Sequence, residues 1–164
     1  MSLAEEDLAH FRAQVRARTG IALEPGKEYL IESRLAPIAA QLGCVNVGAL
    51  LRDFRTGGQV LKDATIEAMT TNETFFFRDA TPFEHVRRLL AAAAARGGRV
   101  RVWSAACSTG QEPYSVAMVW REIASRHPSA ELEVVASDVS EACLARARAG
   151  VYSAFEAKRG LSPA

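Results

Sequence analysis

The stretch Trp103–Ser115, WSAACSTGQEPYS, leads from an apolar segment through a single glycine turn into a helix-forming segment. At the carboxyl end of a strand in an α/β sheet, such a turn lets a ligand approach the backbone. The phosphate-cradling patterns are absent: Gly110 stands alone where Gly-x-Gly-x-x-Gly would be needed, and no Gly-Lys-Ser/Thr follows. Asp138 comes directly after a second apolar segment, Leu132–Ala136, where an acid can accept hydrogen bonds from both hydroxyls of a ribose. The same position suits a helix N-terminal acid beside Ser140. Glu112 is open to two readings as well. It is a carboxylate near a ligand turn, and Thr109-x-x-Glu112 is also the spacing of a capping box, with an acid in the first turn favoured by the helix dipole.

A second group lies upstream, in Thr71–Asp79, TNETFFFRD. Three consecutive phenylalanines cannot all face one side of a helix or strand, so the segment is expected to pass between two packed bodies and bury rings against both. Arg78 reads either as a clamp for a carboxylate or as a local ion pair with Asp79. Asn72 and Thr74 read by default as turn and cap residues. A ligand that lacks a pyrophosphate tolerates the short glycine turn, and S-adenosylmethionine is one. Cys107 reads as a small buried side chain, since no histidine near it in sequence would activate it. His10, His85 and His127 show no metal-ligand spacing, so no metal is expected. Trp103 and Trp120 are expected in the core.

The elements that must position these residues fall into two patterns. Leu8, Phe11 and Val15 recur at helical spacing before Gly20, and Tyr29 to Leu42 forms a second helical pattern ending at Gly43, with Pro37 arguing for a kink or break. Val47–Phe54 and Val60–Met69 follow as short helices, so residues 1–70 read as a small all-helical domain. Beyond an interdomain segment, 71–81, Thr81 is expected to cap a helix with Pro82 at its first position and Glu84 closing the box. That helix should run to Arg96 before Gly97-Gly98. Then come a strand over Arg99–Ala105, a helix starting near Pro113, a strand over Leu132–Ala136, and a last helix capped by Ser140. Helix, strand, helix, strand, helix over 82–164 is the opening of a parallel α/β sheet. Two strands do not make a stable doubly wound domain, so the chain reads as a fragment of a longer protein or as one completed by a partner.

Composition narrows the class. The 164 residues carry 20 basic and 19 acidic side chains, so no global field points to nucleic acid. The three cysteines are far apart and form no Cys-x-x-Cys pair, which suits a reducing compartment. An acidic N-terminus is unlike a signal peptide, and no apolar run approaches the roughly 20 residues that span a bilayer. A cytoplasmic protein without membrane insertion is expected.

A helical N-terminal region, then Thr-Asn-x-Thr-x-Phe-Phe-Arg, then a strand entering WSAACSTGQEPYS, then Ala-Ser-Asp-Val-Ser, with AGVYS and RGLSP near the end, resembles the chemotaxis receptor glutamate O-methyltransferases of the CheR type. The resemblance implies a small all-α domain followed by the beginning of an α/β, Rossmann-like methyltransferase domain with two strands present. It implies transfer of a methyl group from S-adenosyl-L-methionine to glutamate side chains on the cytoplasmic helices of methyl-accepting chemotaxis receptors, with S-adenosyl-L-homocysteine as product. It also implies cofactor contacts at Asn72, Thr74, Arg78, Glu112 and Asp138, with Asp138 on the ribose and Arg78 as the catalytic residue nearest the transfer. Members of the family use the helical domain to meet receptors. Arg12 and Arg16, one turn apart, are candidates there that the resemblance does not itself select.

The family continues through further strands and a further cofactor segment, so this chain alone is expected to bind cofactor weakly and turn over little. A competing reading from another class is a non-catalytic signalling module that retains a cofactor half-site. A nicotinamide oxidoreductase is disfavoured by the missing glycines. Which receptors and glutamates are modified, whether a receptor-tail docking subdomain exists, and the oligomeric state are not specified by sequence, although an incomplete sheet leaves a strand edge open to association.

Overall fold

A computed structural model describes residues 3–161. The Ser162-Pro163 end of the RGLSP match lies outside the described residues. The chain divides after Thr71 into two compact units.

The first unit is helical because each amphipathic stretch has a start and a stop. Helix α1 (Glu5–Thr19) opens on Glu5, Glu6 and Asp7 and closes on Arg16 and Arg18, charges that complement the helix dipole at both ends. Gly20 ends it in the left-handed region at φ 76°, its N–H donating to the Arg16 carbonyl. Helix α2 (Glu28–Gln41) runs unbroken through Pro37, contrary to the expected break. Ser33 and Pro37 are both exposed, so the carbonyl that loses its N–H partner lies on a solvated face. Helices α3 (Val47–Thr56) and α4 (Gln59–Glu67) complete the unit, with the Asn46 side chain capping α3 by accepting from Ala49 N.

Phe11 and Phe54 meet edge-on at 5.3 Å in the middle of a core that also holds Leu8, Val15, Leu35 and Leu50. Arg12 does not face outward. Its side chain is only 15% exposed and pairs with Glu28 and Glu5, whereas Arg16 remains exposed. Arg34 on α2 donates to the carbonyls of Met69 (2.6 Å) and Thr70 (3.3 Å) and to Thr71 Oγ1 (3.0 Å), which fixes the chain as it leaves the unit.

The second unit contains α5 (Ala80–Ala94), β1 (Gly98–Ala105), α6 (Gln111–Ala124), β2 (Ala130–Ser137), α7 (Glu141–Ala149) and α8 (Ala154–Lys158). Among the described residues the sheet has two strands, β1 and β2, paired in parallel from Gly98 opposite Ala130 to Ala105 opposite Ser137. Leu90 and Ala94 of α5 pack with Val116, Val119, Trp120 and Ile123 of α6, and Val100, Val102, Leu132 and Val134 of the strands join them. Trp103 is not in the core. It is 71% exposed on the other side of β1, with its indole N–H donating to Ser137 Oγ at 3.0 Å.

Two further expectations change. Helix α5 begins at Ala80 after Asp79, with no side-chain cap, so the Thr81 capping box does not form. Helix α8 was not anticipated, although Ser153-x-x-Glu156 forms a complete capping box at its start. Among the described residues, no helix is long and apolar enough to cross a membrane and no group of three or more metal-ligating side chains occurs.

Phe54 is 1% exposed, so Phe54→Ala is expected to destabilise the helical unit by about 3–5 kcal/mol. Urea unfolding followed by helical circular dichroism measures it, and a loss below about 1 kcal/mol would mean that this ring does not hold the core.

Candidate functional site

The parallel strands β1 and β2 both end in loops at the same edge of the sheet. Past β1 the ladder continues for one more bond, Cys107 N donating to Ser137 O at 2.9 Å. The chain then turns sharply, with Ala106 at φ 59° and Ser108 at φ 48°, both in a region that side chains disfavour. Gly110, at φ 98°, begins α6. A Cβ there would lie 2.8 Å from the Tyr152 hydroxyl and 2.9 Å from Ala147 Cβ, so the turn admits only glycine.

Asp138 joins this loop to the one after β2. Its Oδ2 accepts from Ser108 N at 2.7 Å and its Oδ1 from Ser140 N at 2.9 Å. The helix-start reading of Asp138 is therefore realised in part, while each carboxylate oxygen keeps a lone pair for a ligand hydroxyl. Ser140 caps α7 as expected, accepting from Cys143 N at 3.0 Å.

Glu112 does not take the capping role. Gly110 is the N-cap of α6, Thr109 Oγ1 donates to Gln111 Oε1 at 2.7 Å, and Glu112 Oε1 accepts from the Ser104 hydroxyl at 2.6 Å. The buried Ser104, near the end of β1, thereby sets the orientation of an exposed carboxylate.

The upstream segment reaches the same edge through Ser108, whose hydroxyl donates to the Asn72 carbonyl at 3.0 Å. The Asn72 side chain is exposed and Thr74 is half-buried. Phe76 is buried edge-on against Tyr152 at 5.0 Å, and Phe77 meets Phe83 at 5.2 Å. The Phe75 ring carries Arg159 at 4.5 Å and Arg78 at 5.8 Å. These ring partners all belong to the second unit, so the phenylalanines pack the segment into that unit. Gly160 locks this arrangement: a Cβ there would lie 1.8 Å from the Phe76 carbonyl oxygen.

Arg78 is exposed, donates to the Glu73 carbonyl at 2.7 Å and stands 4.0 Å from Asp79. The structure thus joins Asn72 and Asp138 through one residue and fixes Glu112 nearby in sequence, while the contacts of Arg78 stay within its own segment. Sequence reading missed Ser104, Ser108 and Tyr152. Nothing in a run of small residues marks two serines as donors to acids and carbonyls, although WSAACSTGQEPYS and AGVYS did carry all three residues as part of a resemblance.

Cys107 and Tyr152, both at this edge, have displaced acidities. Burial, and then the neighbouring Asp138 carboxylate, push the Cys107 thiol above its ordinary value, so it stays protonated and is a poor nucleophile. Burial, and then Tyr114, push Tyr152 up to about 12, which suits a hydroxyl that donates to the Thr109 carbonyl at 2.7 Å. The acceptor set as a whole, two carboxylates in the loops and helix start beyond the carboxyl ends of parallel strands, fits a ligand with a hydroxyl pair and positive charge.

Residues 72–164 match the model of the CheR methyltransferase SAM binding domain, and residues 6–70 match that of the CheR methyltransferase all-alpha domain. The chain is 41% identical to chemotaxis protein methyltransferase 1 of Pseudomonas aeruginosa, over 99% of its own length and 62% of that protein. It is 40% identical to a chemotaxis protein methyltransferase of Vibrio anguillarum, over 99% of its length and 61% of that protein. The corresponding Escherichia coli protein is 38% identical over 92% of this chain and 52% of its own length. The chain thus spans about three fifths of the length of the two more similar of these relatives.

The raised pKa of Tyr152 contributes stability that is fully present below its ordinary value of 10.0 and is lost as pH rises through about 12. In thermal melts across that interval, the parent chain is expected to lose stability relative to Tyr152→Phe, and parallel pH curves would contradict it.

Proposed function

Because the chain belongs to the CheR methyltransferase family, we propose that it serves S-adenosylmethionine-dependent methylation of glutamate side chains on the cytoplasmic helices of methyl-accepting chemotaxis receptors. The observation that carries the reading is the anchored Asp138 carboxylate just after β2, tied to a turn whose one glycine, Gly110, is packed against Tyr152 and Ala147. On this reading Asp138 holds the ribose diol and Glu112, oriented by Ser104, supplies negative charge for the positive groups of the cofactor. Asn72 and Thr74 add polar contacts from the upstream segment. When bound, the cofactor supplies an electrophilic methyl group: the substrate oxygen–carbon bond forms as the sulfur–carbon bond breaks and its electron pair stays on sulfur.

The protein's part is alignment. A glutamate with an ordinary pKa of about 4.3 is already ionised at neutral pH, so no general base is required. Arg78 orients the substrate carboxylate, and its half-exposed guanidinium leaves the ion pair loose enough to spare the nucleophile. The helical unit meets the receptor, and the reaction belongs in the cytoplasm, where those receptor helices are.

Calorimetric titration with S-adenosylhomocysteine and with NAD is expected to show binding of the first in preference to the second; preference for NAD would overturn the reading. In a protein carrying these residues at the full length of the matched relatives, Arg78→Ala is expected to lower transfer of labelled methyl to receptors about a hundredfold, the scale for losing one oriented electrostatic contact. Unchanged turnover would remove Arg78 from the mechanism.

A further inference from the structure

Ser108 is 6% exposed, and both of its donors are committed to groups far away in sequence. Its amide donates to Asp138 Oδ2 at 2.7 Å, across 30 residues, and its hydroxyl donates to the Asn72 carbonyl at 3.0 Å, across 36. We propose that Ser108 is a positioning residue that couples the two sides of the cofactor site, holding the Asn72 segment in register with the Asp138 carboxylate. The inference rests on the cofactor-binding reading above and goes beyond it, since Ser108 itself touches no ligand in that reading.

The backbone supports the assignment. At φ 48° a residue with a side chain is held in a region that it disfavours, a strain that glycine would escape. Glycine at this position would keep the amide bond to Asp138 and relieve the strain. What only the serine provides is the hydroxyl, and that hydroxyl reaches the peptide from which the Asn72 side chain and, two residues on, Thr74 project. Fixing that carbonyl fixes the direction in which the upstream segment presents its polar groups. Asn72 then meets a ligand at a set distance from Asp138.

Two substitutions separate coupling from simple turn formation. Ser108→Ala removes the hydroxyl and keeps the strain, while Ser108→Gly removes both. Affinity for S-adenosylhomocysteine by calorimetry and melting temperature are measured on the same samples. Coupling predicts that both variants lose about tenfold in affinity, although Ser108→Gly melts no lower than Ser108→Ala. If Ser108 only shapes the turn, Ser108→Gly binds like the parent chain, and that result overturns the inference while leaving the functional reading intact. A parent chain that takes up no S-adenosylhomocysteine overturns the reading and the inference together.

Discussion

The carboxylate of Asp138 is the interaction on which the ligand edge of the second unit depends. One side chain accepts from the backbone of both loops, Ser108 N after β1 and Ser140 N after β2. A parallel pair of strands delivers its loops side by side, but nothing in the ladder fixes how they face once the strands have ended. A charged acceptor between them does so, and it places the acid itself where a ribose would be read. The structural role of Asp138 and the ligand-binding role proposed for it are thus two uses of one position.

Strain explains why a charged group is needed. Among the described residues, the non-glycine ones with positive φ are Phe77, Asp79, Ala106 and Ser108, in the two segments that bound the site. Such conformations cost on the order of 1–3 kcal/mol each and persist only where neighbours over-determine them. A neutral hydrogen bond contributes about 1 kcal/mol net, whereas one to a charged group contributes about 1.5–3. The bond to the charged Asp138 is therefore of the size that offsets the turn at Ser108. Phe77 is held differently: its N–H donates to the hydroxyl of the fully buried Ser115 at 3.0 Å, and its ring packs with the α5–α6 core.

What the sequence made legible follows the range of the interaction involved. Helical periodicity and glycine stops located α1 to α7 to within a few residues, because caps and amphipathic faces are local. Pro37 misled because a proline on a solvated face leaves its lost partner to water. The Thr81 box failed because the chain enters α5 through Asp79 at φ 59°, two residues sooner than the box requires. Trp103 was misplaced by its size, although its parity with Arg99 and Arg101 along β1 already assigned it to the exposed face. In the site, Asp138 and Glu112 were visible as acids after strand ends and Arg78 as a candidate carboxylate clamp, while Asn72 and Thr74 gained a role only through resemblance. Ser104, Ser108 and Tyr152 act on partners 8 to 43 residues distant, and no local pattern encodes such pairs.

The central claim is that the Asp138 carboxylate both anchors the two loops and holds the ligand, and Asp138→Asn tests it most directly. The amide keeps the size of the side chain but offers one acceptor oxygen and places an NH₂ donor against a backbone N–H. Calorimetric titration of this variant with S-adenosylhomocysteine is expected to show affinity lower by about a hundredfold, the loss of one or two charged hydrogen bonds. Affinity equal to that of the parent chain would contradict the account.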